Sequence, residues 1–76
     1  MDNQEQLLRI VNEIYQNTGG KSINLSTRID ELDFDSMETL ELIMDIEKNM
    51  SLELKVENLK ACQTLADILD LINKND

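Results

Sequence analysis

The sequence predicts an all-α fold: a small up-and-down four-helix bundle, three main helices plus one short helix, with a long loop between the first two helices. Three observations point there. Apolar residues recur at helical spacing in three stretches. No proline interrupts any of them. The one glycine pair, Gly19-Gly20, marks a clear break after the first stretch.

Each element has its basis in particular residues. Leu7, Leu8, Ile10, Val11, Ile14 and Tyr15 share one side of a helix over about 3–17. Asp2 or Asn3 would cap its start, and Gly19 would end it in a left-handed conformation. Residues 18–35 keep no period and read as a long loop, a length often tied to function. Ile23, Leu25, Ile29 and Leu32 are spaced as anchors that pin this loop to a core, with a short helical turn within Thr27–Leu32.

The second main helix begins at Ser36. Asp35 and Glu38 stand three apart, the spacing of a capping box. Met37, Leu40, Ile43, Met44 and Met50 are expected as its buried stripe, with Ile46 beside it, over a run to Asn49. Ser51–Leu54 reads as a loop. Leu54, Val56 and Leu59 predict a short helix near 56–61. Thr64 with Asp67 forms another cap, and Leu65, Ile68, Leu69 and Ile72 give a clean apolar face over Leu65–Asn73.

Composition narrows the function. At 76 residues the chain makes one domain, 1–76, with an ordinary apolar fraction of 41%. No run approaches a membrane span, and the acidic start lacks signal-peptide character, so a cytoplasmic protein is expected. Cys62 is the single cysteine and there is no histidine. An intrachain disulfide, an ordinary zinc site and Ser-His or Cys-His nucleophile pairs are therefore excluded.

The net charge is −9. Such a surface repels nucleic acid and anionic membranes, and Tyr15 and Phe34 are the only aromatics. The natural partner is a protein with a basic surface, and the chain is expected to be a monomer. Eight of the sixteen acids fall between Asp30 and Glu47, a window with no Lys or Arg. Glu38, Glu41 and Asp45 share one helix face there. A solvated face and a docking surface both fit this pattern. Asp33 and Asp35 alternate as calcium ligands do, but the glycine and distal glutamate of a calcium loop are missing, so no metal site is expected.

Ser36 sits between the acidic loop and the helix. Asp35-Ser36-Met37 resembles the Asp-Ser-Leu signature of acyl carrier proteins, with Met in place of Leu. Glu38-Thr39-Leu40-Glu41-Leu42-Ile43-Met44 is similar to that family's recognition helix, Ser51-Leu52-Glu53-Leu54 to its next loop, and Thr64–Ile72 to its last helix. Departures are Asp33, where the family often has glycine, Lys55, where proline is frequent, and Lys48, where an acid is common. Phe34 is commoner in polyketide-type carriers.

The resemblance implies a chemistry. A phosphopantetheinyl transferase would attach 4′-phosphopantetheine, covalently, to the Ser36 hydroxyl. The arm's thiol would carry acyl groups as thioesters between acyl-transferring or acyl-modifying enzymes of fatty-acid, polyketide or related biosynthesis. The chain itself would catalyse nothing. Asp35, Met37, Glu38, Glu41, Met44 and Glu47 match positions that meet partners, which would leave Met37 partly exposed. Cys62 would be a small core residue lining the apolar space between the second main helix and the short helix, with Ile46, Leu54 and Leu59. Two rivals remain: an unmodified acidic adaptor for a basic protein, and a small carboxylate enzyme, for which a four-helix chain offers little pocket.

Overall fold

The computed structural model describes residues 2–16 and 23–74. Five helices occur in it: α1 (Asn3–Gln16), α2 (Ile29–Leu32), α3 (Ser36–Met50), α4 (Val56–Lys60) and α5 (Leu65–Lys74). The expected left-handed end at Gly19 lies outside the described residues. Helix α1 begins as expected, because the Glu5 N–H donates to Asp2 Oδ1 at 2.8 Å. That bond satisfies one of the amides a helix start leaves without an acceptor.

Helix α1 packs against both α3 and α5. The core between them is wholly apolar. Leu7, Val11, Leu42, Ile46, Leu65 and Ile68 are at most 1% exposed, and no polar or charged side chain is buried with them among the described residues. Each such side chain contributes about 1.5–3 kcal/mol relative to leaving it in water. The predicted face of α5 is correct: Leu65, Ile68 and Ile72 are buried, and Leu69 packs against the core from its edge.

The predicted stripe of α3 needs correction. Leu42, Ile43 and Ile46 face the core. Met37 is 79% exposed, Met44 63% and Leu40 50%, and Met50 is only half-buried. The helix carries apolar residues on two sides at the same period, and α1 covers only one of them. Ile43 and Ile46 lie inside, as their spacing predicts; Met37, Leu40 and Met44 belong to the opposite face.

Residues 23–35, leading into α3, are more ordered than an unstructured loop. Leu32 is buried, and Ile23, Leu25 and Ile29 pack against the core as anchors. Asn24 organises a turn: its Oδ1 accepts from the Ser26 N–H (2.8 Å), and its carbonyl from the Thr27 N–H (3.0 Å). Backbone bonds then stitch the segment to the start of α5. The Ile29 N–H donates to the Gln63 carbonyl (2.8 Å), Leu65 to Thr27 (3.1 Å) and Ala66 to Leu25 (3.0 Å). The tilted rings of Tyr15 and Phe34, 6.4 Å apart, tie the residues just before α3 to α1.

No helix among the described residues is long and apolar enough to cross a membrane.

Candidate functional site

Local rules place Ser36. Asp35 is the extended residue before α3. The Glu38 N–H donates to Asp35 Oδ1 at 2.8 Å, and the Asp35 N–H donates to Glu38 Oε1 at 3.2 Å. The box predicted from sequence is complete. The Thr39 N–H donates to the Asp35 carbonyl at 2.9 Å, closing the first helical turn. Of the four amides a helix start leaves open, the box takes two. Those of Ser36 and Met37 remain at the mouth of the helix, and Ser36 is exposed. Asp33, three residues earlier, takes a left-handed conformation (φ 55°) that turns the chain out of α2.

Beside this helix start lies an open groove of about 480 Å³. Ile29 and Asp33 line it from the α2 side, Thr39 from α3, and Leu59, Lys60 and Cys62 from α4 and the residues after it. Phe34 contributes an aromatic wall. Phe34 and Thr39, two residues before and three after Ser36, line the groove, while Ser36 itself does not. A fixed charge pair decorates its rim: Arg28 Nε lies 3.2 Å from Asp30 Oδ1, with both side chains largely in water. That pair raises the Arg28 pKa through its hydrogen bond to Asp30.

Sequence reasoning missed this groove and placed Cys62 deeper in the core than it lies. The cysteine is half-buried at the edge of the core and lines the groove together with Leu59. Ile46 and Leu54 are buried in the core instead. The Cys62 thiol donates to the Asn58 carbonyl at 3.4 Å. Partial burial, and then the charge of Asp67, push its pKa up, so it stays protonated at neutral pH.

The other candidate residues separate into three groups. Met37, Glu41 and Met44 are exposed on the outer face of α3, and Leu40 joins them although only its apolarity could have flagged it. Asp35 and Glu38 flank Ser36 and are used by the capping box. Glu47 differs: its Oε2 accepts the Leu54 N–H at 3.0 Å across the α3–α4 loop. No group of three or more His, Cys, Asp or Glu is arranged to hold a metal among the described residues.

Comparison with known proteins gives the family of this small helical bundle. The model of the phosphopantetheine attachment site family matches residues 5–72. The acyl carrier protein of Buchnera aphidicola subsp. Schizaphis graminum (strain Sg) is 30% identical over 73 residues, covering 96% of this chain and 92% of the relative. That of Buchnera aphidicola subsp. Acyrthosiphon pisum (strain Tuc7) is also 30% identical, covering 96% and 91%. The crystal structure of an acyl carrier protein from Thermotoga maritima superposes with a TM-score of 0.70 over 95% of this chain and 88% of that one. At 23% identity it supports the fold alone. The chain belongs to the acyl carrier protein family.

Membership brings a covalently attached 4′-phosphopantetheine and the role of a carrier that interacts with acyl-handling enzymes. The residues present suit such a group. An exposed hydroxyl stands where two amides and the helix macrodipole favour an anion by about 0.3–1 kcal/mol. A groove with apolar and polar walls opens one turn away.

Proposed function

We propose that Ser36 Oγ is the attachment point of 4′-phosphopantetheine, and that the chain carries acyl intermediates of fatty-acid, polyketide or related biosynthesis as thioesters on that arm. The observation that carries this reading is the exposed Ser36 at the first position of α3, fixed by a complete capping box beside an open groove.

The chain's own residues divide the work. Asp35 and Glu38 hold the backbone so that the Ser36 hydroxyl faces solvent. The amides of Ser36 and Met37 are positioned to favour a phosphodiester there. When bound, the prosthetic group supplies the thiol; Cys62, protonated and hydrogen-bonded to Asn58, is not that thiol. Met37, Leu40 and Met44 form an apolar outer stripe, which Glu38 and Glu41 border with negative charge. Soft, exposed methionines suit a surface that meets several partners in turn. The bordering carboxylates draw in basic enzyme surfaces and speed encounter more than they tighten it. The domain acts as a monomer, within residues 1–76.

The test is direct. The purified chain is incubated with coenzyme A and a broad-specificity phosphopantetheinyl transferase, and its mass is measured. The expected result is the gain of one phosphopantetheine, lost in Ser36→Ala. No gain with several transferases would favour an unmodified acidic adaptor. The loaded mass from native cells then identifies the cargo.

A further inference from the structure

We propose that Glu47 is a positioning residue: its carboxylate latches the α3–α4 loop, holds α4 in place and so sets one wall of the groove beside Ser36.

The latch is a single charge-assisted bond. Glu47 sits in the last turns of α3 and is half-buried. Its Oε2 accepts the Leu54 N–H at 3.0 Å, seven residues away and partly shielded from water. Between them the chain must reverse. Ser51 does this in a left-handed conformation (φ 53°), without glycine. The bond therefore closes the turn that Ser51 opens.

Helix α4, just after this turn, needs outside support. It has five residues, and its start, Lys55, makes no side-chain cap. A helix this short is not stable by propensity alone. It is held by its flanks: Leu54 and Leu59, 5% and 4% exposed, and the latched Leu54 amide. Leu59 and Lys60 form a groove wall, with Cys62 two residues further on. Loss of the latch frees the loop, and the freed loop lets α4 move away from α2.

This role differs from docking. A docking carboxylate acts through its charge. A latch acts through an acceptor oxygen at the right place, which an amide also provides. Glutamine therefore separates the two.

The groove's place beside an acyl attachment point rests on the proposed function; the latch itself does not. The test uses the unmodified full chain. Amide hydrogen exchange is measured at Leu54 and 56–60, and alkylation at Cys62, in wild type, Glu47→Ala and Glu47→Gln. The expected result for Glu47→Ala is Leu54 exchange about tenfold faster, the size of a lost hydrogen bond to a charged group. Cys62 alkylation also quickens, and Glu47→Gln restores both. Unchanged exchange in Glu47→Ala, or a glutamine variant as fast as alanine, overturns the proposal. If Glu47→Ala does not fold by circular dichroism, Glu47→Asp, one methylene short, replaces it with the same expectation. Ser36 modification of the wild-type chain is measured separately by mass. Failure of that reaction in wild type would count against the proposed function and leave the latch standing.

Discussion

The three long helices and the two short ones are built by different means. α3 and α5 each begin with a reciprocal cap. In α5 the Asp67 N–H donates to Thr64 Oγ1 (3.3 Å), while Asp67 Oδ2 accepts the amides of Gln63 (2.9 Å) and Thr64 (3.2 Å). α1 begins with the Asp2 cap. In contrast, α2 and α4 start at Arg28 and Lys55, which make no side-chain cap. The capped helices supply most of the core; the uncapped ones add one buried leucine each, Leu32 and Leu59, and wall most of the groove. The lesson is a division of labour: a frame whose ends are set by local sequence, and groove walls whose order is borrowed from that frame.

The largest expected effect comes from breaking the frame. Leu65 is fully buried at the first position of α5. Leu65→Ala should lower the unfolding free energy by about 2–5 kcal/mol, measured by urea melting. For a domain this small that removes much of its stability, and both regions should unravel together. A melt with separate transitions would show that the groove walls do not depend on the frame.

Cap exchange sharpens the contrast. Asp35→Ala should cost about 0.5–2 kcal/mol and raise amide exchange in the first turn of α3. Lys55→Asp, which supplies α4 with the cap it lacks, should instead gain up to about 1 kcal/mol and slow exchange over 56–60. Equal responses to both changes would remove capping as the basis of the difference.

Charge on the outer face of α3 tests function rather than stability. Glu41→Lys should slow Ser36 modification and transfer to partner enzymes while the melting temperature holds. Unchanged rates would place the docking face elsewhere. Glu38→Lys is a poorer probe, because it also removes one half of the capping box.

A smaller, pH-dependent effect belongs to α5. Bonds from the Gln63 and then the Thr64 amide hold the Asp67 carboxyl below its ordinary pKa. Its folded pKa is depressed, so its stabilising contribution is present above the unfolded value and lost as pH falls through the folded one. Asp67→Asn should therefore flatten the acid side of the melting profile. A variant with the same acid slope as wild type would refute this. The smallest effect concerns Cys62, whose raised pKa should make it alkylate more slowly than an unhindered model thiol at neutral pH, as monitored by mass.

Much of the site was legible in the sequence because it is local. Asp35, Ser36 and Glu38 lie within one turn, so capping chemistry alone sets where the serine falls. The same holds for Thr64 with Asp67 and for the face of α5, where only one apolar stripe exists. The α3 stripe was misread because two candidate faces share one helical period. Met37, Leu40 and Met44 satisfy it as well as Leu42, Ile43 and Ile46 do.

The groove, the place of Cys62 on its wall and the bond from Glu47 to Leu54 were invisible for a related reason. Each joins residues from elements that meet only after the chain folds back. By itself, then, the sequence determined the helical segments, the caps of its long helices and the serine at the mouth of α3, since backbone amides find those partners three or four residues away. Tertiary structure alone decided which side of α3 faces α1, how Thr27–Ile29 is stitched to Gln63–Leu65, and where the groove opens. Burial is collective: a residue's environment is fixed by the surfaces that close over it, and no neighbouring residue in the chain records them.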